Sequence, residues 1–419
     1  MDKRSNVKKW ASLRTTTIHF YVFLFISSMS NAQNLQDYFQ IAQEQNPELQ
    51  AKKFEFEAAM QRIPQVSSLP DPSASLGVFV SAVETRVGAQ RARLSLTQMF
   101  PWFGTLEARR NAAAAEAQVK FYEWLDAQNQ LYFDIQKLYY ELYELEERIA
   151  ILKDNLKYLD TYEELAQAKV SSGAGALADV VRVQLQRNEL ETNIKLLEDK
   201  RRPLQIAFNK LLHREEVETI TLPDTLLLPA ANFLQDSLNA NPKLTRLDAQ
   251  NQALVLQQEV IAKDRMPRIG AGLDYVVVQK RTDLDLPDNG KDVLMPMVTV
   301  SLPIWRKKYD AMEQEIALMQ QATDASKTNV SNQLASEWAQ AQYDLSTAEQ
   351  RINLFSKQVE TTQTILDLLT TAYANSGEDF EEVLRTEQSL VQYRLLTEEA
   401  RLSYLLAFAK MEYLIANHL

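Results

Sequence analysis

The sequence predicts a mainly α-helical chain with a small β part, laid out as two tandem repeats. Each repeat is a long helical hairpin preceded by two β-strands. Three observations carry this prediction: heptad seams sustained over many turns, glycines and prolines confined to a few short regions, and a set of motifs that recurs about 200 residues further on.

Composition narrows the chemistry. Among 419 residues there is no cysteine, which removes a disulfide framework, a thiolate metal site and a lipidated anchor. The only histidines, His19, His213 and His418, stand far apart, so metalloenzyme sites and His-based nucleophilic triads are poorly supplied. A formal charge of −11 argues against nucleic acid, whose phosphates require a basic surface. No carboxylate cluster is accompanied by a glycine loop or a histidine, so a hydrolase has little support, and no cofactor is expected.

The N-terminus reads as a secretory signal peptide over residues 1–32. Lys3, Arg4, Lys8, Lys9 and Arg14 make the basic region, the apolar stretch runs over 18–26, and small residues end at Ala32. The apolar stretch is about half the ~20 residues that a membrane-spanning helix needs. No later apolar run reaches that length, so membrane entry, if any, is by strands, which points to a Gram-negative outer membrane.

The first repeat is expected over 33–230. A short amphipathic helix signal ends at Asn46-Pro47. Strands follow at about 73–83 and 91–99. In the first, Leu76, Val78, Val80 and Ala82 oppose Ser73, Ser75, Gly77 and Ser81, with Phe79 the exception; in the second, Leu94 and Leu96 oppose Arg91, Arg93, Ser95 and Thr97. That is the apolar-out, polar-in alternation of a barrel holding water. From 105 to 172 glycine is absent, and Leu131, Ile135, Leu138, Leu142, Leu145, Ile149, Leu152, Leu156 and Leu159 alternate steps of four and three, a heptad seam. A helix over 105–170 is about 100 Å long. A tip at 171–177 carries Gly173 and Gly175, and a returning seam includes Val180, Val183, Leu190 and Ile194. Pro203 is expected to interrupt and kink that return.

The second repeat, 231–419, copies this order. Asn241-Pro242 matches Asn46-Pro47. Strands are expected at about 269–278 and 293–301, separated by a polar loop over 280–292. Leu302-Pro303-Ile304 matches Phe100-Pro101-Trp102. The seam Leu334, Trp338, Ala341, Leu345, Ala348, Ile352, Phe355 and Val359 keeps the heptad register of the first copy. Gly377 marks a tip at about 376–380, and Val383-Leu384-Arg385 matches Val180-Val181-Arg182. Four strands cannot close a barrel, eight close one filled by side chains, and larger numbers leave a lumen. A water channel therefore requires several copies, and three copies would supply twelve strands.

The duplicated layout, the turn Gln98-Met99-Phe100-Pro101-Trp102-Phe103-Gly104 and the tip Lys169-Val170-Ser171-Ser172-Gly173 with Asp179-Val180-Val181 resemble the TolC family of outer-membrane efflux proteins. The turn looks most like the CusC/CzcC heavy-metal branch. The resemblance implies a homotrimer with a 12-stranded β-barrel in outer-membrane lipid and a helical tunnel in the periplasm. It further implies an exit duct partnered by a periplasmic adaptor (membrane fusion) protein and an inner-membrane RND-type pump. Ser171, Ser172, Gly173, Gly175, Leu177, Ser376, Gly377 and Phe380 would then form the adaptor-docking tips.

Tyr373, Asp379, Arg385 and Asp179, close to the tips, are candidates for a gate, although charge near a helix end also serves as solvated surface and Asp179 suits a helix start. The strand-to-helix turns hold Pro101, Trp102, Gly104, Pro303 and Trp305. Their aromatic rings suit either a membrane interface or a plug between strands and helices. Met99, Met295 and Met297 are expected to pack rather than to bind a metal. Two other readings compete with an efflux duct: a periplasmic coiled-coil scaffold or adaptor without a pore, and a type I secretion exit duct.

Overall fold

The computed structural model describes residues 35–283, 285–376 and 380–418, so the expected signal segment lies outside the described residues. The chain begins with α1 (Leu35–Gln45) and α2 (Pro47–Ser67). Strands β1 (Ser73–Thr85) and β2 (Gly88–Phe100) follow, then α3 (Thr105–Ser171) and α4 (Leu177–Leu211). The second half repeats the order. A 3₁₀ turn (Gln235–Ala240) precedes α5 (Pro242–Asp264), β3 (Arg268–Gln279), β4 (Val293–Ser301), α6 (Lys307–Ser376) and α7 (Phe380–Ile415). At 67 and 70 residues, α3 and α6 each extend roughly 100 Å. None of the described helices is long and apolar enough to cross a membrane.

The paired Asn-Pro motifs do the same work in both halves. Asn46 caps α2, its Oδ1 accepting from the Leu49 amide at 3.0 Å, and Asn241 caps α5 by accepting from the Lys243 amide at 3.0 Å. Each proline occupies the first turn, where its missing N–H costs nothing. Both asparagines are buried, and each Nδ2 reaches across to a returning helix: Asn46 donates to the Leu211 carbonyl at 2.9 Å and Asn241 to the Leu414 carbonyl at 2.9 Å. One side chain thus satisfies an orphan donor at one helix start and an orphan acceptor at another helix end.

The returning helices also end alike. His213 (φ 54°) and Ala416 (φ 52°) adopt the left-handed conformation, and the next amides close back on the helix, Arg214 to the Asn209 carbonyl at 2.9 Å and Asn417 to the Glu412 carbonyl at 3.1 Å. This is the Schellman arrangement that glycine favours, built here without glycine. The strain is tolerated because Leu212 and Leu414, both fully buried, anchor the helix ends in the core.

Packing makes the hairpins one bundle. Near the tips, Leu159 and Tyr162 of α3, Val180 and Val183 of α4, Leu366 and Tyr373 of α6, and Val383 and Leu384 of α7 share one cluster. Around the middle of α3, Tyr38 and Phe39 of α1 pack on Tyr132, Ile135 and Tyr139 of α3 and Phe208 of α4. That second cluster explains a departure from expectation: α4 continues through Pro203 instead of being interrupted there. Leu204 and fully buried Phe208 hold the far side in place across the lost hydrogen bond.

The four strands form a single antiparallel sheet in the order β1-β2-β3-β4, with the two repeats joined at β2–β3 from Ala89↔Gln279 to Phe100↔Ile269. Between Val78 and Val83 the β1–β2 register shifts, and Phe79, the residue that broke the sequence alternation, falls in that bulged segment.

Three substitutions test these repeated joints. Asn241→Ala is expected to lower unfolding free energy by about 2 kcal/mol or more, combining a lost cap with an unpaired buried carbonyl. Asn241→Asp, which keeps the cap acceptor but loses the donor, should recover only part of that, as read by thermal unfolding in detergent. Conversely, Ala416→Gly is expected to raise stability by up to about 1 kcal/mol, because glycine pays no left-handed penalty.

Candidate functional site: sheet face and hairpin tips

The sheet has two chemically different faces. Following the register across all four strands, Leu76, Leu94, Tyr275 and Leu294 form one row, and Ala74, Leu96, Leu273 and Pro296 the next. These side chains stand in the open: Leu76 is 72% exposed, Val80 99% and Val298 76%. On the opposite face the rows read Ser75, Ser95, Asp274, Met295 and Ser73, Thr97, Gly272, Met297. Both outer strands, β1 and β4, have a free edge within the chain. An apolar face of this extent and two edges unpaired among the described residues are costly to leave in water.

At the loop end of the sheet the second repeat folds over the first. The Gly290 amide donates to the Val87 carbonyl at 2.6 Å, and Arg281 reaches the Thr85 carbonyl at 3.4 Å. Gly88 is required here: φ is +134°, and a Cβ would sit 1.9 Å from the Gln279 carbonyl oxygen. At the helix end of the sheet, Gly104 (φ +78°) turns the chain from strand into α3, and the Thr105 amide closes on the Trp102 carbonyl at 3.0 Å. Pro101 and half-buried Trp102 lie in this turn, with Trp102 against Phe103 at 5.9 Å between ring centroids. Phe103 and, in the matching turn after Pro303, Trp305 project outward uncovered by the chain. The C-terminal turn of α5 ties both turns together, Asp264 to Arg109 of α3 at 2.8 Å and Arg265 to Asp310 and Glu313 of α6, the latter at 2.8 Å.

The first tip is a tight Schellman turn. The Ala174 amide donates to the Lys169 carbonyl at 2.9 Å, with Gly173 (φ +77°) at the left-handed position. Gly175 is needed for a different reason: a Cβ there would lie 2.8 Å from Lys169 Cβ. Ser171, Ser172, Gly173 and Leu177 are exposed, as the docking expectation requires. Phe380 is not. It is buried against Tyr373 at 4.8 Å and Tyr162 at 6.3 Å, because it closes the apolar cluster shared by both hairpins. Gly377 and Asp379 lie outside the described residues, as does the side chain of Ser376.

Of the four gate candidates, Tyr373 is buried between the hairpins, where Lys169 of the first hairpin donates to its carbonyl and lies 4.0 Å from its ring centroid. Asp179 pairs with Arg182 at 3.3 Å, and Arg182 also reaches Glu381 of the second hairpin at 3.4 Å. Arg385 is exposed and pairs with Glu381 at 3.0 Å. Lys169 and Arg182 therefore connect the two tips; Lys169 stood in the tip motif, but its contact with Tyr373 was not expected from the sequence.

Sequence reading also missed Glu387. It lies on α7 facing α3 and α6, 3% exposed, at a cavity of about 370 Å³ lined by Asn155, Tyr158, Gln363, Asp367 and Arg394. Its Oε2 meets no hydrogen-bond donor among the described residues. Burial pushes its pKa up from 4.5 to about 7, against a smaller lowering by Arg394. Met297 Sδ accepts from the Arg93 guanidinium at 3.7 Å, and Met295 is exposed on the same face.

Residues 38–212, from α1 to the end of α4, match the family described as outer membrane efflux protein. Comparison with curated proteins gives no match. Among solved structures, the outer-membrane channel OprN superposes with a TM-score of 0.74 at 15% identity, covering 91% of this chain and 89% of its own. The outer membrane protein VceC from Vibrio cholerae gives 0.72 at 17%, covering 91% and 95%. CusC gives 0.72 at 13%, covering 91% of each chain. The chain has the fold of an outer-membrane channel. Within this fold, each half of the described chain contributes one strand pair and one long helical hairpin.

Glu387 makes tip stability pH-dependent. Its folded-state pKa is raised, so the stability it allows is fully present below about pH 4.5 and is lost as pH rises towards 7. Glu387→Gln is expected to flatten that dependence and to exceed the native chain at pH 8 by on the order of 3 kcal/mol or less. Thermal unfolding at pH 5 and pH 8 measures the difference.

Proposed function

We propose that this chain is the outer-membrane channel subunit of a tripartite efflux system, a passive exit duct from periplasm to exterior with no catalysis of its own. The observation that supports this most is a sheet with one largely apolar, exposed face and two edges unpaired among the described residues, continuous with two helical hairpins about 100 Å long. In this reading three copies close a 12-stranded barrel, because β4 of one copy and β1 of the next run antiparallel and continue the up-and-down order. Ser and Thr of the opposite face then line water, and Phe103 and Trp305 sit at the periplasmic interface of the lipid, where amphipathic rings are favoured.

The hairpins carry the duct into the periplasm. Exposed Ser171, Ser172, Gly173 and Leu177 meet a periplasmic adaptor, which couples the duct to an inner-membrane pump. Tyr373, Lys169 and the Arg182–Glu381 pair hold the hairpins together, so opening at this end means separating them. Heavy-metal cations are the cargo to test first, on the strength of the turn 98–104. The similarity to CusC at 13% identity is no greater than to OprN or VceC. A scaffold without a pore is disfavoured by the apolar sheet face, which has no soluble partner in the chain.

The test is membrane assembly followed by conductance. Leu94→Lys and Val298→Lys, each placing a charge on the apolar face, are expected to cost about 2–4 kcal/mol in the bilayer and to abolish recovery of a heat-resistant oligomer from the outer-membrane fraction. The unmodified oligomer should pass ions across planar bilayers. A native chain that remains monomeric and soluble after export would sink the proposal.

A further inference from the structure

The polar face of the sheet carries one feature that a simple water-lined wall does not require. Arg93 of β2 forms an ion pair with Asp274 of β3, joining the first repeat to the second. Both lie near the middle of their strands, level with Leu94 and Tyr275 on the apolar face, so in a barrel they sit well inside the hydrocarbon layer. Asp274 has no exposed surface, whereas the Arg93 side chain is 42% exposed. The guanidinium therefore covers the carboxylate and faces the open side. Its neighbours leave room for it: Gly77 stands opposite Arg93 on β1, a Cβ there would meet nothing within 4 Å, and Ser75 and Ser95 flank the pair. The Arg93 Nε is itself buried and meets no acceptor among the described residues.

A base can satisfy a buried acid while keeping its own charged head at water, so the asymmetry of cover decides which of the two charges passing ions meet. Here the acid is hidden and the base is offered to the lumen. We infer that Arg93 and Asp274 form the charge-selective element of the barrel, in which an exposed guanidinium masks a carboxylate that otherwise faces passing ions. This rests on the duct reading above. Threefold assembly repeats the pair around the lumen at one height, so three guanidinium heads set the local field at that level. Removing the base unmasks a ring of negative charge; removing the acid leaves a ring of positive charge.

The experiment is the reversal potential of the reconstituted full-length oligomer in a KCl gradient. Arg93→Gln is expected to shift the potassium-to-chloride permeability ratio upward by about 2-fold, and Asp274→Asn downward by a similar factor, both shrinking at high salt. The double variant should return to the native ratio, and Arg93→Lys should keep it. Two single variants that conduct with native selectivity, or that shift in the same direction, would overturn the inference, as would a double variant that fails to return. If Arg93→Gln does not assemble, the direction of the Asp274→Asn shift decides. A native oligomer that assembles but passes no current refutes the duct reading itself, a result distinguishable from conduction without a selectivity change.

Discussion

The constraint on which the rest of this structure depends is that a backbone amide or carbonyl cannot be left unpaired in hydrocarbon. Each chain brings four strands, an apolar face and two open edges. Four strands are too few to close on themselves, so the edges of one copy have to be satisfied by others. In the proposed duct, oligomerisation is therefore a consequence of backbone chemistry before any side-chain contact between copies is considered. In that duct the polar residues of the other face would meet water, and the Arg93–Asp274 ion pair there is matched in charge.

The helical part obeys a different rule. Long helices gain little from propensity alone and depend on packing of an apolar seam. Here both hairpins share one cluster near the tips and a second around the middle of α3, with the ends of the returning helices tied by Asn46 and Asn241. These two residues perform one job twice, and so do the left-handed caps at His213 and Ala416. Duplication has preserved the joints even where the residues around them have changed. Between the fixed ends the bundle holds a buried carboxylate, Glu387, whose ionisation opposes tight packing close to the tips.

Much of the architecture was legible in the sequence for physical reasons. A period of two is either present or absent, and the strands it predicted at about 73–83, 91–99, 269–278 and 293–301 correspond to β1 to β4 within a few residues. Glycine-free heptad runs bounded by Gly173 and Gly175 gave long helices and a tip because few other local structures fit them. The gate and docking residues were less legible. Phe380 looked like a tip residue from its position, yet its ring is drawn inward by Tyr373 and Tyr162. Pro203 looked like an interruption, yet distant packing carries the helix through it.

What the sequence determined by itself was local: which segments are helical, which alternate, where the chain turns, and that the unit occurs twice. Those properties follow from side-chain shape, backbone freedom and periodicity, which act between near neighbours. What only the tertiary structure decided were the pairings between residues far apart along the chain. Arg93 meets Asp274, Lys169 meets Tyr373, and Glu387 is enclosed by α3 and α6. Each of these residues has an unremarkable local context. Their roles come from the register of β2 on β3 and from the packing of one hairpin on the other, and no pattern within a single segment encodes either.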